Sequence, residues 1–552
     1  MGRRIVIVGG VGAGASAATR ARRLDEQAEI TIFEKSGYVS FANCGLPYYV
    51  GGIIEDRDKL LVQTPEKFLG RFRIDVRVRH KVTAIDRAAK RVRGTNLATG
   101  EPFEQPYDKL ILCPGADAVV PRITGTDAAN VFVLRNMEDT DAIHGYLAKN
   151  TIRSAVIVGA GFIGLEVAEA LVHRGMHVDV VELLNQVMAP LDADMAAVVA
   201  GHVREKGVGL HLGSGLESLE TAAGRVRAVV LQNGSRIEAD MVLLSIGVRP
   251  NSRLAAEAGL AVGERGGIRV NASLQTSDPD ILAAGDAVEI VHGVNGQPTL
   301  IPLAGPANKH GRLAGEIAVT DVVRPAARVF GTAIVKVFDL AVASTGFSMK
   351  AAARGGLAAK HATIYRAQHA SYYPGATPMR IKIVYDPADG RLLGAQIVGR
   401  EGVDRRIDVV AAALHFGGTI HDLAEFDLAY APPYGSAKDP LNIAAFVAQN
   451  EQSGRVEQTD PADLERFLSQ GYQLVDLRTP EECAGGSIPG AVNIPLDDLR
   501  ARMGELRKDR PLLVFCQIGE RGYIGARILH GFGRTDVVNL AGGYSWYKEQ
   551  RP

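Results

Sequence analysis

Residues 5–14 read Ile-Val-Ile-Val-Gly-Gly-Val-Gly-Ala-Gly, and they set the architecture of the chain that follows. The β-branched run predicts a buried parallel strand, and the glycines predict a tight turn into an alanine-rich helix that continues to about Leu24. Glycines let the backbone approach a pyrophosphate, which free N–H groups at the helix N-terminus bind. A second strand, from Glu29 to Phe33, leads to a carboxylate placed to accept hydrogen bonds from ribose hydroxyls. A plain glycine-rich loop is the alternative to a nucleotide site made by Gly9, Gly10, Gly12, Ala13, Gly14 and Glu34.

The same pattern recurs later in the chain, where Ser154–Val158 predicts a strand and residues 159–164 read Gly-Ala-Gly-Phe-Ile-Gly. A helix from about Leu165 to Arg174 follows, and then a strand from Val178 to Val181 that ends at Glu182. A carboxylate there would repel the 2′-phosphate of NADP, so NADH is the expected donor, with NADPH left possible. Two such units imply two bound nucleotides. The candidate residues of the second site are Gly159, Gly161, Phe162, Ile163, Gly164 and Glu182.

Composition narrows the classes of function. At 552 residues the chain is too long for one hydrophobic core, so three or four domains are expected. The 62 basic and 62 acidic residues cancel, which gives no indication of a nucleic-acid or membrane partner. The apolar run after Arg4 is too short for a signal peptide, and no apolar segment is long enough to span a bilayer. The cysteines form no CxxC pair, which argues against a disulfide framework or a zinc site and favours a reducing cytoplasm; they are Cys44, Cys113, Cys483 and Cys516.

Tyr38–Gly51 holds a single cysteine, Cys44, just beyond the first nucleotide unit. Disulfide reductases that close an internal ring have a second cysteine about one helical turn later, but the residue five places after Cys44 is Tyr49. Cys44 must therefore find its sulfur partner elsewhere. Flanked by Gly45 and Pro47 in an irregular segment, its thiol is expected to meet a ligand and to react as a thiolate. A buried structural cysteine is the alternative.

Three further segments complete the pattern: residues 110–115, Leu-Ile-Leu-Cys-Pro-Gly; residues 245–251, Ser-Ile-Gly-Val-Arg-Pro-Asn; and residues 276–286, a strand ending in Ala-Gly-Asp. With the two glycine motifs, they resemble the pyridine nucleotide-disulfide reductases over about residues 1–448. The resemblance implies FAD in the first unit, with Asp286 on its ribityl and phosphate part. It also implies that Glu34 contacts the FAD adenosine. The other residues that it implies in cofactor binding are Lys35, Val82, Cys113, Gly115, Arg135, Gly247 and Ala304.

Within this family, a single cysteine in the pattern Ser-Phe-x-x-Cys-Gly of residues 40–45 is typical of one branch. That branch contains coenzyme A disulfide reductases, NADH-dependent persulfide reductases and NADH oxidases or peroxidases. The resemblance places Glu166 near the nicotinamide amide and the flavin edge, with an exposed helix carboxylate as the alternative. Phe162 would gate the nicotinamide pocket or, alternatively, pack as a core aromatic.

From Val329 to about Val447, short strands alternate with a helix near Arg405 to Phe416, and this region resembles the family's dimerisation domain. In the coenzyme A disulfide reductase branch, that domain delivers two tyrosines to the partner subunit's active site, and Tyr372 and Tyr430 match them. The resemblance therefore implies a homodimer with an active site shared across the interface. A tyrosine hydroxyl beside a disulfide can protonate the leaving thiolate. A strand-edge tyrosine is the alternative, and Tyr373 is the neighbour most easily mistaken for Tyr372.

Coenzyme A recognition needs cations for its phosphates. Ser16, Arg20 and Arg23 fall at i, i+4 and i+7 of the first helix and share one face, and the branch binds coenzyme A with residues of this helix. A solvated helix face explains the same spacing. The branch often carries a basic residue near position 72, where Arg71 and Arg73 are both candidates. Further candidate contacts are Ser40, Asn43, Asn308 and Lys438.

A polar, aperiodic segment from residue 449 predicts a linker, and a second resemblance lies beyond it. Residues 474–482, 486–495 and 540–544 resemble a rhodanese domain, with one departure at Ser487, where that family commonly has histidine and only a local effect is expected. Residues 514–522 then predict a strand, a tight loop and a helix start, and such a loop points backbone N–H groups at a thiolate or persulfide. Four residues separate its cysteine from its arginine, whereas cysteine phosphatases have five, so the ring suits sulfur better than a phosphate ester. The catalytic candidates are Cys516 and Arg521, and Cys113 and Cys483 are expected to be inert.

The predicted fold class is α/β, with two Rossmann-like dinucleotide-binding domains, an α+β dimerisation domain and a C-terminal α/β rhodanese domain. The predicted boundaries are 1–115 with 246–325 for FAD, 116–245 for NAD(P)H, 326–448 for dimerisation, 449–459 for the linker and 460–552 for the rhodanese domain. The predicted function is FAD-dependent reduction of coenzyme A persulfide, polysulfide or coenzyme A disulfide by NAD(P)H, with the rhodanese domain handling sulfane sulfur. The alternatives are an NADH oxidase or peroxidase that uses a cysteine sulfenic acid, and a redox-sensing or sulfur-carrier flavoprotein.

Overall fold

The structure is a computed structural model that describes residues 2–550, and these divide into two compact units. One unit contains the residues up to 185 together with 207–331, and the other contains 186–206 together with those from 332 onward. The first unit is built on two five-stranded parallel sheets. Its first sheet has the fully buried, β-branched strand of the opening motif at its centre, as parallel sheets covered on both faces require. From edge to edge the strands are Ile281–Ala283, Lys109–Leu112, Arg4–Val8, Glu29–Phe33 and Ile74–Arg77.

The second parallel sheet repeats this arrangement around the second glycine motif. Its strands, from edge to edge, are Gly209–Leu212, His177–Glu182, Ser154–Val158, Met241–Leu244 and Val131–Phe132. Two antiparallel three-stranded sheets cover the parallel ones, and they contain His80–Asp86, Arg91–Asn96 and Pro102–Pro106, and Leu216–Ala222, Arg225–Leu231 and Arg236–Glu238. Shorter strands pair Ala116–Ala118 with Val248–Pro250, and Val288–Val291 with Ile268–Arg269 and Pro298–Thr299.

Two helices of the first unit, Gly12–Leu24 and Ala304–Thr320, cross at very short range. A Cβ added at Gly311 or Gly315 would lie 2.1 or 2.2 Å from a backbone oxygen of the opposite helix, so only glycine permits this approach. The crossing fixes the first nucleotide helix against the end of the sheet. The other helices and 3-10 turns of this unit are Asn43–Gly45, Leu46–Val50, Arg57–Leu60, Pro65–Phe72, Met137–Lys149, Phe162–His173 and Arg253–Glu257.

The second unit contains a five-stranded antiparallel sheet whose central strand, Leu392–Gly399, is buried at every position. The full order is Ala333–Val337, Leu340–Gly346, Leu392–Gly399, Pro378–Tyr385 and Lys360–Ala367. The helices of this region are Met349–Arg354, Val403–His415, Ile420–Glu425 and Pro440–Gln452. Helix Ala193–Glu205 also belongs to this unit, although the predicted NAD(P)H-binding domain included it. It is held because Lys382 Nζ lies 3.0 Å from Asp194 and Gln396 donates to Asp192 at 2.7 Å.

The C-terminal part of the second unit has its own five-stranded parallel sheet. The order is Glu457–Thr459, Val537–Leu540, Leu512–Phe515, Gln473–Asp476 and Val492–Asn493. Its helices and 3-10 turns are Pro461–Asp463, Leu464–Ser469, Pro480–Ala484, Leu499–Arg502, Met503–Glu505, Glu520–Gly531 and Gly543–Glu549. Within residues 2–550, no helix combines the length and the hydropathy needed to cross a bilayer.

The predicted linker differs from the observed structure at both of its ends. Helix Pro440–Gln452 begins at a capping box formed by Asp439 and Asn442, and its buried face continues to Ala448, so the helix includes the first four linker residues. At the other end, Glu457–Thr459 pairs with the C-terminal parallel sheet. The C-terminal end of this helix was not predicted, because its last turn is polar and has little apolar surface.

Candidate active site

The first glycine turn has the tight geometry that a pyrophosphate site needs. Gly9 has a φ of +97°, and a Cβ there would lie 2.0 Å from the carbonyl oxygen of Cys113. A Cβ on Gly14 would lie 1.8 Å from the carbonyl oxygen of Gly9. The buried Glu34 carboxylate accepts the N–H of Gly10 at 2.8 Å and the N–H of Ser36 at 2.9 Å. This cradle fits the pyrophosphate and ribose of a dinucleotide such as FAD.

The second glycine turn repeats these contacts almost atom for atom. Gly159 has a φ of +111°, and a Cβ there would lie 2.3 Å from the carbonyl oxygen of Ser245. A Cβ on Gly164 would lie 2.0 Å from the carbonyl oxygen of Gly159. The Glu182 carboxylate accepts the N–H of Ala160 at 2.8 Å and the N–H of Leu184 at 2.9 Å. The residues present therefore fit a second dinucleotide.

The other predicted cofactor contacts near the turns occupy different environments. Gly161 caps the second nucleotide helix, in which Phe162 is half-buried and Ile163 is exposed. Gly247 has a φ of +106°, a conformation that favours glycine. Ala304 is the first residue of the helix that crosses the first nucleotide helix.

Asp286 and Arg135 form an ion pair at the end of the first sheet. Arg135 Nη2 donates to Asp286 Oδ2 at 2.7 Å, and Arg135 Nε donates to the carbonyl oxygen of Ala116 at 2.7 Å. Gly115, one residue earlier, has a φ of +66°. The structure therefore brings three predicted cofactor residues together, Asp286, Arg135 and Gly115.

Lys35 forms an ion pair and Val82 is buried, and neither feature was predicted from the sequence. Lys35 Nζ lies 2.9 Å from Asp117, with both side chains about half-exposed. Val82 is buried in strand His80–Asp86, so its backbone rather than its side chain is the part that can meet a ligand.

Cys44 lies in the 3-10 turn Asn43–Gly45, directly before the short helix Leu46–Val50, and the residue is exposed. The alternative of a buried structural cysteine therefore does not apply. Partial desolvation nevertheless raises the pKa of its thiol, and the Glu166 carboxylate raises it further, while Arg135 acts in the opposite direction. These surroundings favour the neutral thiol of Cys44, and its reaction as a thiolate stays a prediction.

Two predicted substrate residues beside this cysteine differ in their contacts. Asn43 donates from Nδ2 to the carbonyl oxygen of Arg135 at 3.4 Å. Its Oδ1 is buried and has no hydrogen-bond partner among residues 2–550. Ser40 has a φ of +48°, and its carbonyl oxygen accepts the N–H of Val62 at 3.1 Å. An unpartnered buried amide oxygen is available to a ligand that enters the site.

Glu166 is partly buried, which excludes the alternative of an exposed helix carboxylate. The Tyr48 hydroxyl donates a hydrogen bond to Glu166 Oε1 at 3.1 Å. Burial raises the pKa of Glu166 to about 7, and nearby Glu169 adds to the shift. Tyr48 was not among the predicted site residues, although its position four residues after Cys44, about one helical turn along the chain, was an available signal.

Two of the predicted coenzyme A contacts, Ser16 and Asn308, are in contact with each other, and the arginines have other neighbours. The Ser16 hydroxyl donates to Asn308 Oδ1 at 2.6 Å, which brings two of them together. Arg20 Nη2 lies 2.7 Å from Glu316, so a coenzyme A phosphate would share this guanidinium with a carboxylate, and the contact stays a prediction. Arg23 is exposed, with its guanidinium 5.8 Å from the ring of Phe72.

The remaining cationic candidates are on the surface of their own units. Arg71 is exposed on helix Pro65–Phe72, whereas Arg73 lies 3.6 Å from the carboxylate of Glu26. This contact favours Arg71 of the two candidates. Lys438 is exposed in the second unit.

Tyr372 and Tyr430 meet in the second unit, where their hydroxyl oxygens lie 2.8 Å apart. Tyr372 is 74% exposed and Tyr430 47%, so the pair projects from the surface. Tyr373 instead packs edge-on against His369 at 5.7 Å between ring centroids. The contacts therefore distinguish Tyr372 from its neighbour.

Cys516 is buried at the centre of the C-terminal loop, and its Sγ accepts the N–H of Gly519 at 3.1 Å. Helix Glu520–Gly531 begins directly after this loop. Arg521 donates from Nη1 and Nη2 to the two carboxylate oxygens of Glu482 at 2.7 and 2.6 Å. The pKa of Arg521 is raised first by Glu482 and also by Cys516. A sulfur anion at Cys516 would thus lie among a backbone donor, a helix N-terminus and a fixed guanidinium.

The two other cysteines have different surroundings: Cys483 shares the Asp476 carboxylate with Ser487, and Cys113 packs against the core. The Ser487 hydroxyl donates to Asp476 at 2.6 Å, and Cys483 Sγ donates to the same carboxylate at 3.3 Å. Burial raises the pKa of Cys113, and burial and Asp476 raise that of Cys483 to about 11. Neither thiol is prepared to ionise. Within the described residues, no three His, Cys, Asp or Glu side chains are arranged to hold a metal ion.

Three family models match the chain. The model for pyridine nucleotide-disulphide oxidoreductases matches residues 3–311, that for the dimerisation domain of the same family matches residues 332–440, and that for rhodanese-like domains matches residues 460–550. These matches confirm the predicted fold class.

Individual proteins match over most or all of the chain. A coenzyme A disulfide reductase of Staphylococcus aureus (strain JH9) is 36% identical over 447 residues, which are 81% of this chain and 100% of the relative. The reduced CoADR-RHD of Bacillus anthracis is 44% identical with a TM-score of 0.96, covering 100% of this chain and 98% of the other. An NAD-dependent persulfide reductase from A. fulgidus is 37% identical with a TM-score of 0.92, covering 99% and 100%.

Proposed function

The chain belongs to the pyridine nucleotide-disulphide oxidoreductase family, and from that premise we propose that it uses NADH to reduce coenzyme A persulfide, coenzyme A disulfide or polysulfide at Cys44. The observation that carries the proposal is an exposed, single cysteine beside Arg135 and Glu166 in a chain that also holds a thiol in a rhodanese loop. Full-length similarity to a CoADR-RHD and to a persulfide reductase supports it.

The first glycine turn, Glu34 and the pair of Asp286 with Arg135 would hold FAD, and the second turn with Glu182 would hold NADH. Bound FAD supplies the chemistry that joins a two-electron hydride donor to a sulfur acceptor. The protein's task is to place Cys44 and Glu166 at that junction and to exclude competing acceptors.

Cys44 begins the sulfur chemistry. Its thiolate attacks the outer sulfur of a persulfide, a bond forms between Sγ and that sulfur, and the original sulfur–sulfur bond breaks. The released thiol takes the bonding electron pair and a proton. Two electrons from NADH, together with two protons, then cleave the Cys44 persulfide, which releases hydrogen sulfide and restores the Cys44 thiol. With coenzyme A disulfide, the same steps release two molecules of coenzyme A.

The dimerisation domain supports a dimer. We assign protonation of the leaving thiolate to the partner's Tyr372 and the partner's Tyr430, because their paired hydroxyls are exposed and so accessible to a substrate bound by another subunit. For coenzyme A we assign Ser16, Asn308, Arg23, Arg71 and Lys438 as polar contacts.

The rhodanese domain would carry sulfane sulfur on Cys516, with Arg521 stabilising the persulfide anion. Its product, a persulfide, is the substrate class that Cys44 consumes. Free thiols at all four cysteines fit a reducing compartment, and we place the protein in the cytoplasm.

Anaerobic steady-state kinetics with NADH tests this proposal. We expect kcat/KM for coenzyme A persulfide, polysulfide or coenzyme A disulfide to exceed that for hydrogen peroxide, and aerobic NADH oxidation without a sulfur acceptor to be slow. Faster turnover with peroxide or oxygen would replace the proposal with a sulfenic-acid oxidase or peroxidase. Turnover too slow for metabolism with every acceptor would indicate a sensor or sulfur carrier.

A further inference from the structure

The short helix that follows Cys44 is clamped onto the second nucleotide helix. Arg174 donates to the carbonyl oxygen of Val50, and Gly51 approaches so closely that an added Cβ would lie 2.9 Å from the Cβ of Ala170. Between these contacts and Cys44, the Tyr48 hydroxyl donates to Glu166 Oε1 at 3.1 Å. The clamp fixes this hydrogen bond, because neither helix can shift along the other without breaking the Arg174 contact or the Gly51 packing.

The groups that face Glu166 come from both helices. Tyr48 is on the short helix Leu46–Val50, which follows Cys44, and Glu169 is one turn along the helix that carries Glu166. Tyr48 stabilises the ionised carboxylate through its hydrogen bond, whereas burial and Glu169 disfavour it. The charged groups near Cys44 are Glu166 and Asp286, which raise the pKa of its thiol, and Arg135, which lowers it.

Persulfide reduction has a proton requirement that NADH alone does not meet. Cleavage of a persulfide to a thiol and hydrogen sulfide takes two electrons and two protons. NADH releases two electrons and one proton equivalent as it becomes NAD+, so one more proton must enter the site for each turnover. Solvent is the ultimate source, and a group that exchanges its proton near neutral pH is suited to deliver it.

We propose that Glu166 delivers this proton to the sulfur chemistry at Cys44 and that Tyr48 is the residue that positions it. The inference rests on the proposed function. In each turnover, after the partner's tyrosine pair has protonated the first thiol released, the O–H bond of the neutral Glu166 carboxyl breaks and its proton passes to the sulfur that leaves Cys44 as hydrogen sulfide. The carboxylate left behind accepts the Tyr48 hydroxyl hydrogen bond. A proton from solvent then restores the carboxyl. NADH remains the reductant, and Glu166 changes only its protonation.

This proton delivery by Glu166, which we call the relay, is also linked to the ionisation of Cys44. The Glu166 carboxylate raises the pKa of Cys44, so a neutral Glu166 favours the Cys44 thiolate. Attack by the thiolate and readiness of the proton donor therefore occur in the same protonation state. Deprotonation of Glu166 with rising pH opposes both.

The test combines site-resolved alkylation with kinetics on the FAD-loaded enzyme. The rate of iodoacetamide addition to Cys44, read by mass spectrometry between pH 5 and 10, gives its apparent pKa in wild type, Tyr48→Phe and Glu166→Gln. Tyr49→Phe is the matched control, because it removes the neighbouring hydroxyl from a ring that stacks on His144 at 5.0 Å rather than bonding Glu166. FAD content and circular dichroism verify folding.

We expect Glu166→Gln to lower the apparent pKa of Cys44 and to remove the neutral-pH step from the pH profile of kcat. Its kcat with coenzyme A persulfide should fall by about 10²-fold or more. Tyr48→Phe should move the step to higher pH, because the carboxylate loses its donor, and Tyr49→Phe should match wild type.

Unchanged Cys44 titration and an unchanged pH profile in both Tyr48→Phe and Glu166→Gln would overturn the relay. A wild-type enzyme that does not reduce coenzyme A persulfide, polysulfide or coenzyme A disulfide would overturn the proposed function instead. The alkylation profiles do not depend on turnover, so the two failures are distinguishable.

Discussion

Arg406 and Asp439 form a buried ion pair with two hydrogen bonds, Nε to Oδ1 at 2.9 Å and Nη2 to Oδ2 at 2.8 Å, and their side chains are only 2% and 5% exposed. Arg406 also donates to the carbonyl oxygen of Gln368 at 2.7 Å. Gln368 precedes the segment that carries Tyr372, and Asp439 ends the segment that carries Tyr430. This ion pair therefore holds the two tyrosine segments against each other.

Replacement of Arg406 by Met should destabilise the second unit by about 3–5 kcal/mol, because the Asp439 carboxylate would stay buried without its main partner. The measurement is calorimetric unfolding of the variant. Arg405→Met is the matched control, since Arg405 is 37% exposed and contacts the same carboxylate at 3.2 Å, and a loss of about 0–1 kcal/mol is expected there. Equal losses in the two variants would contradict this account.

The ion pair of Glu482 with Arg521 makes the stability of the rhodanese domain depend on pH. The Arg521 guanidinium lowers the pKa of Glu482 to about 2, below its ordinary value of 4.5. A depressed pKa contributes stability that is complete above pH 4.5 and is lost as pH falls towards 2. Glu482→Gln should therefore be less stable than wild type at pH 7, and the difference should narrow at pH 3.

Trp546 is the only tryptophan of the chain and is fully buried, so its fluorescence during urea denaturation reports on this domain alone. Glu481→Gln removes a neighbouring, solvent-exposed carboxylate that has no contact with Arg521 in the described structure, and its gap to wild type should be small. A Glu482→Gln gap that stays constant from pH 7 to pH 3 would argue against the Arg521 pair.

Glu182 should set the preference for NADH. Its carboxylate is fixed by two backbone N–H groups, and repulsion of a 2′-phosphate by a nearby charge is worth on the order of 1–3 kcal/mol. Glu182→Gln should raise the ratio of kcat/KM for NADPH to that for NADH by about tenfold or more. Glu217→Gln removes the same charge from an exposed site in the same half of the chain and should leave the ratio unchanged. A ratio that does not move in Glu182→Gln would remove Glu182 from the nucleotide site.

Local features of the sequence predicted local structure well. The strand Glu29–Phe33 has the predicted ends, and tight turns with a positive φ at Gly9 and Gly159 occur where the glycine motifs predicted tight turns, because these features depend on neighbouring residues. The periodicity of residues along the sequence could not predict contacts between distant segments. Arg20 meets Glu316, which is 296 residues away, so a helix face that looked free for phosphate is partly occupied.

Other distant pairs show the same limit. The Tyr372 and Tyr430 hydroxyls, 58 residues apart, were paired only by family resemblance, because nothing in either segment specifies the other. Tyr48 with Glu166 and Glu482 with Arg521 were not predicted, since each joins a short helix to a distant one. The pKa values of Cys44 and Glu166 also depend on burial, which the sequence does not contain.

Cys44→Ser in anaerobic NADH consumption with coenzyme A persulfide tests the central claim most directly. We predict that turnover falls to the background rate, because serine cannot form the persulfide intermediate, whereas Cys483→Ser keeps the wild-type rate. Cys516→Ser should also retain turnover with this small soluble substrate if the rhodanese domain only delivers sulfur. Full turnover in Cys44→Ser would contradict the account and show that the reaction does not pass through this cysteine.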